Sequence, residues 1–163
     1  MTSLVCALAL ALLGCAASAG ANPAFVVSRV SDGDTLWVRP DGDRRKPVKL
    51  RLQGIDAPER CQPWGTQATA ALNGRALGQR VQVQGRASDD FGRLLVELRL
   101  ERGGADIGAW MVGQGHAWSP RFRHHPAAYA RQEREARAAR RGLFANPDAE
   151  PPRLFRKRHG PCE

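Results

Sequence analysis

The residues best suited to chemistry in this chain are carboxylates, and they fall in two short stretches. SDGDTLWVRPDGD (31–43) carries the triplet Asp-Gly-Asp twice, as Asp32-Gly33-Asp34 and Asp41-Gly42-Asp43, and RLQGIDAPER (51–60) carries Asp56 and Glu59. An EF-hand loop would place a third oxygen side chain and then a glycine after the first triplet; Leu36 and Trp37 stand there, so that kind of calcium loop is excluded. The second triplet lies in a Pro-Asp-Gly turn pattern, is followed by Arg44 and Arg45, and reads as a hairpin turn. In the other stretch Pro58 keeps Ala57 out of the helical region, which leaves the Ala57 carbonyl available to something other than a helix partner. Asp34, Asp56 and that carbonyl would offer a hard cation three oxygens, with water completing the shell, a set that suits Ca²⁺ better than a soft metal. The pattern alone does not separate a metal site from a chance pair of acidic turns.

The elements that must position these groups follow from periodicity. Residues 25–39 are Val-rich with a polar interruption, as expected of a strand pair or one long bent strand, and PDGDRRKP then signals a hairpin. In VKLRLQGI the alternation puts Val48, Leu50 and Leu52 on one face, and Lys49, Arg51 and Gln53 on the other. Residues 63–78 have Ala and Leu at helical spacing; VQVQG and 93–100 alternate as strands; ADIGAWMVGQG reads as a short helix; and the stretch from Pro126 to Gly142 reads as a longer one. The last helix interleaves Glu133 and Glu135 with arginines, as a solvated face would. Five strands with a helix before the fourth predict an α+β fold, a five-stranded OB-type β-barrel with about three helices. Residues 147–163 mix Pro and basic residues without periodicity and read as a tail held by a few contacts.

Length and charge set the wider frame. The 163 residues suffice for one compact domain, and 25 Lys plus Arg against 16 Asp plus Glu give a formal net charge of +9, which favours a polyanionic partner such as nucleic acid. The opening MTSLVCALALALLGCAASAG has no charged side chain, and its apolar run is too short for a permanent membrane span. Residues 1–19 are therefore expected to be a signal peptide, or 1–21 with the later small-residue site, although no Lys or Arg precedes the apolar run. LLGC ending at Cys15 is the alternative, a lipoprotein cleavage site that would attach the protein to a membrane through a lipidated Cys15. Export, to the periplasm or outside the cell, with removal of the signal peptide would discard Cys6 and Cys15 and leave Cys61 and Cys162, which are expected to pair and pin the tail. Metal ligation by two cysteines without neighbouring His is the other reading of that pair.

VSDGDTLWV, KLRLQGIDAPE, DDFGRLLVEL and MVGQGHAW resemble, in this order, the successive landmarks of the staphylococcal nuclease (thermonuclease) family, over about residues 25–146. The resemblance implies a nuclease domain over 22–146 that hydrolyses DNA or RNA with Ca²⁺ as cofactor and leaves 3′-phosphorylated products. It assigns Ca²⁺ to Asp34, Asp56 and the Ala57 carbonyl, and catalysis to Arg51, Glu59 and Arg93. Ala57 replaces the prototype's Thr, a change that keeps the main-chain oxygen. Asp32 would orient the ligand sphere through water.

The departures concern substrate binding. Asp90-Phe91 stands where the prototype has Lys-Tyr, and AWSPRFRHH lacks the Tyr that the family often has there. Phe91 and Phe122 could stack on bases and Arg121 or Arg123 could hold phosphate, while His124 and His125 read as solvated neighbours on a basic loop. Nucleic acid is the expected partner of a monomer, with no obligate protein partner. The rival readings are a noncatalytic nucleic-acid-binding module on the same barrel, which would have lost some of these five charged side chains, and an envelope-attached interaction protein, which would leave them unexplained.

Overall fold

A computed structural model of the chain describes residues 24–162 apart from 44, 90, 91, 122–124 and 161. The expected signal peptide with Cys6 and Cys15, and Asp90, Phe91, Phe122, Arg123 and His124, lie outside the described residues. The elements run β1 (Phe25–Val30), β2 (Thr35–Pro40), β3 (Val48–Leu52), α1 (Gly65–Ala76), β4 (Arg80–Ser88), β5 (Leu94–Leu100), α2 (Ile107–Gly113), α3 (Ala130–Ala138), a 3₁₀ turn (Gly142–Ala145) and α4 (Pro152–His159). The strands close into a barrel in the order β1-β2-β3-β5-β4, the expected OB-type α+β architecture.

Alternation along the strands builds the core. Val27, Leu36, Val38, Leu50, Leu52, Val81, Val96 and Leu98 turn inward and are buried. Each such side chain stabilises the fold by about 1.5–3 kcal/mol relative to exposure. Val48 departs from the expected face: it is 43% exposed, because it opens β3 at the rim where no layer covers it. The second Asp-Gly-Asp triplet is the expected turn, with Gly42 at φ 73°, a conformation that suits glycine.

The β3–β5 pair is parallel, with Arg51 opposite Leu95, so α1 and β4 form the crossover that a parallel neighbour requires. That register brings the start of β5, immediately after Arg93, alongside β3. Thr35 pairs with Arg51 across β2 and β3, which seats Asp34 beside the same position. Three strands thus aim their functional side chains at one end of the barrel.

The helices close the other sides. Asp106 caps α2 by accepting from the Ala109 N–H (2.9 Å) and also receives the Tyr129 hydroxyl (3.2 Å), tying α2 to the approach of α3. Burial, then the Asp106 carboxylate, push the Tyr129 phenol well above its ordinary pKa. α3 is shorter than its sequence pattern, and Glu133 is not simply solvated: its carboxylate accepts from the Ser119 N–H at 2.7 Å. The tail is held by contacts as expected, but it also carries a fourth helix, started by Pro152, that the absence of periodicity had not indicated.

His116 joins α1 to the segment after α2. The Trp64 indole N–H donates to its Nδ1 (3.2 Å), and the Trp64 and Trp110 rings flank it, so burial holds its pKa below the ordinary value. The unfolded chain then takes up this proton at higher pH than the folded one. The stability that neutral His116 contributes is complete above about pH 6.5 and declines as pH falls through and below that value. Melting followed between pH 7 and 5 should show a shallower acid loss in His116→Gln than in wild type; equal slopes would remove His116 from the acid response.

Candidate active site

The first Asp-Gly-Asp triplet forms the turn between β1 and β2, and the turn is built to present Asp34. The Asp34 N–H donates to Asp32 Oδ1 (3.1 Å), and the Thr35 hydroxyl donates to Asp34 Oδ1 (2.9 Å). Gly33 is required by close approach: a Cβ there would lie 2.6 Å from Ala57 Cβ and 2.9 Å from Ala68 Cβ. This contact brings the triplet against the Asp56-Ala57-Pro58-Glu59 segment, and the Ala57 N–H donates to Asp34 Oδ2 at 3.2 Å. Asp56 itself is held by the far motif. Its N–H donates to the Trp118 carbonyl (2.9 Å) and its carbonyl accepts the Trp118 N–H (3.0 Å), so AWSP acts here as a backbone clamp on an acidic residue. Ser119 extends the clamp, donating from Oγ to the Gly54 carbonyl and accepting from the Tyr129 N–H. These roles of Trp118, Ser119 and Glu133 were not visible in the sequence, where Trp118 ended a motif, Ser119 followed it and Glu133 read as one charge of a solvated helix face.

Arg51 bridges the two acids. Its Nη1 donates to Asp34 Oδ1 at 2.6 Å and its Nη2 to Asp56 Oδ1 at 3.1 Å. Both acidic residues are nearly buried, Asp34 at 4% and Asp56 at 9% exposure over the whole residue. Burial, then the Asp34 charge, raise Asp56 above its ordinary pKa against the pull of Arg156 and Arg51. Burial and Asp34 likewise push Asp32 up to about 6.

Glu59 and Arg93 line the same open cleft, of about 710 Å³, whose walls also carry Asp34, Arg51 and Ala57, with Lys49, Arg60 and Arg156 contributing further positive charge. Arg93 is steadied by Asp89, which accepts both its Nε (2.6 Å) and its backbone N–H (2.9 Å). Glu59 Oε1 receives Arg156 Nη1 from α4 at 2.5 Å, a partner the sequence had not indicated. Five of the six expected site residues therefore line one cleft, and the sixth, Asp56, lies just behind its wall, joined to it through Arg51. Arg121 and His125 are exposed and do not line it.

The donor set is compatible with a hard cation. It is all oxygen, two carboxylates on adjoining segments with the Ala57 carbonyl between Asp56 and Pro58 in sequence, and the Cys162 sulfur that also lines the cleft is held in a disulfide with Cys61. Among the described residues no group of three or more His, Cys, Asp or Glu side chains forms a metal cluster, so carbonyl and water oxygens would have to complete the shell. Arg51 spans the two acids and would share them with a cation.

Residues 49–146 match the family described as staphylococcal nuclease homologue. The chain belongs to the staphylococcal nuclease family. Among its relatives are a protein of Escherichia coli named Protein ParB, 39% identical over 93% of this chain and 89% of the relative, and a micrococcal nuclease of Shigella flexneri, 36% identical over 80% of this chain and 79% of the relative. An uncharacterized endonuclease of Escherichia coli O157:H7 is 35% identical over 81% of this chain and 84% of its own length. The staphylococcal nuclease match begins at Lys49, so it includes β3 with Arg51, the Asp56–Glu59 segment and Arg93, and leaves the Asp34 turn and α4 outside.

Proposed function

We propose that this protein is an exported, Ca²⁺-dependent nuclease that hydrolyses phosphodiester bonds of DNA and RNA without regard to the sugar and leaves 3′-phosphorylated ends. The observation that supports the reading is that Asp34, Arg51, Glu59 and Arg93 line one cleft while Asp56 is bound to Arg51 at its edge, five charged side chains from four separate segments. The names of the micrococcal nuclease and endonuclease relatives point the same way. The Cys61–Cys162 bridge favours an oxidising compartment, as export requires.

A phosphodiester repels nucleophiles, and its hydrolysis gathers charge on the equatorial oxygens of five-coordinate phosphorus. Arg51 and Arg93, whose side chains are largely buried in the cleft wall, offer forked donors to that charge. Glu59 takes a proton from the attacking water and aims it. Asp34, Asp56 and the Ala57 carbonyl would hold Ca²⁺, which when bound supplies a positive charge that polarises a phosphate oxygen. Phosphate contacts dominate binding, so affinity falls with salt.

Digestion of single-stranded DNA and of RNA by the purified mature protein tests this. Turnover is expected with Ca²⁺ and should vanish with EGTA; activity unchanged by chelation would overturn the metal assignment. Binding without cleavage under Ca²⁺, Mg²⁺ and Mn²⁺ would leave a noncatalytic nucleic-acid-binding module instead.

A further inference from the structure

The tail after the staphylococcal nuclease match is docked on the segment that carries Glu59, and it is docked three times. Gln62, 5% exposed, accepts the Glu59 N–H at Oε1 (3.1 Å) and donates from Nε2 to the Glu150 carbonyl (2.6 Å). Arg156, on α4, donates to Glu59 Oε1. Cys162 closes a disulfide to Cys61, two residues beyond Glu59, across a sequence separation of 101. Between the first and last of these tethers α4 has little freedom, and Arg156 is the side chain it delivers to the cleft.

Arg156 is placed as a ligand-binding group would be. Its side chain is 39% exposed, and Nη1 lies 2.5 Å from Glu59 and 3.6 Å from Asp56. Both contacts use one nitrogen of a group that carries five N–H donors. It shares the cleft with Arg51 and Arg93. A Glu59 that holds a guanidinium on its carboxylate is a poor acceptor for the proton of water, so the pair must open before Glu59 can act. An incoming phosphodiester is the partner that can open it, because phosphate matches the guanidinium fork and brings its own negative charge.

We propose that Arg156 is a third phosphate-binding guanidinium of this site, held on Glu59 until a phosphodiester takes it over, and that the Cys61–Cys162 bridge keeps it within reach. The proposal rests on the nuclease reading for its substrate. In it the bridge acts as a latch on α4: without it the tail can leave the cleft while the barrel stays folded.

Equilibrium binding and turnover separate the possibilities. Binding is read by anisotropy of a labelled single-stranded oligonucleotide in EGTA, across a KCl series, so that the probe stays intact. Loss of one phosphate contact in Arg156→Ala should reduce the slope of log K against log salt by about 0.7, and Arg156→Lys, which keeps the charge, should retain the slope. Turnover with Ca²⁺ should fall on the order of 100-fold in Arg156→Ala. Cys61→Ser/Cys162→Ser should reproduce most of both losses, and adding it to Arg156→Ala should change little, since the two act on one contact. An unchanged salt slope in Arg156→Ala, a faster Arg156→Ala enzyme, or additive losses from the two changes would each overturn the proposal. If Arg156→Ala lowers the slope but no divalent ion ever yields cleavage, the nuclease reading fails and the Arg156 assignment stands.

Discussion

Glu59→Gln is expected to lower kcat on single-stranded DNA on the order of 100-fold or more, with KM changed by no more than about threefold. The substitution keeps the size of the side chain and an oxygen that can accept from Arg156, so α4 should stay docked and the cleft should keep its shape. It removes only the negative charge and the ability to accept a proton. Arg93→Ala should show a similar loss of kcat for a different reason: it takes away a donor aimed at charge that exists only in the transition state, while Asp89 retains the backbone N–H of residue 93. Steady-state kinetics with Ca²⁺ on one oligonucleotide would check both. Near-normal kcat in either variant would remove the role assigned to that residue.

Arg51→Ala should act on stability as well as on turnover. The guanidinium side chain is 19% exposed and lies between carboxylate side chains that are 6% and 12% exposed, so its removal leaves Asp34 without its guanidinium partner and Asp56 with only Arg156, at 3.6 Å, against a buried like charge. Breaking such an arrangement from one side costs about 3 kcal/mol, a fall in Tm of ~6–12 °C for a chain of this size. Asp34 keeps the Thr35 hydroxyl and the Ala57 N–H, but neither carries a full positive charge. Ca²⁺ should therefore raise the Tm of the variant by more than that of wild type, because the ion supplies the charge that Arg51 provided. Melting in EGTA and in Ca²⁺ reads both effects. A Tm in EGTA equal to that of wild type would mean that the acids are not charged together, and equal Ca²⁺ shifts in the two proteins would separate the ion from Asp34 and Asp56.

These two variants also probe different depths of the same architecture. Arg51 is held by strand pairing, opposite Thr35 on β2 and Leu95 on β5, so its position is a property of the barrel. Glu59 lies in an irregular segment, and what steadies it comes from Gln62 and from the tail. Loss of the tail should thus be felt at Glu59 before it is felt at Arg51.

Much of this was legible along the chain. Alternation in VKLRL is a local signal, because successive strand residues must face opposite sides, and it placed Arg51 away from the buried Leu50 and Leu52 before any contact was known. The turn at Asp41-Gly42, the break imposed by Pro58 and the helix inserted before the fourth strand are equally local. The pairing of Cys61 with Cys162 was accessible because the expected loss of a signal peptide would leave only these two thiols. What periodicity could not report is which distant groups the closed barrel brings together. Arg156 meets Glu59 across 97 residues, and Trp118 clamps the backbone of Asp56 through peptide groups that every residue possesses. Glu133 looked like one more charge on a solvated helix until the fold set it against the Ser119 N–H. The sequence by itself determined the strands, the turns and the types of charge at the cleft, since each depends on residues a few positions apart. Only the tertiary structure decided the partners of those charges, since a partner is chosen by proximity after the chain closes and leaves no period behind.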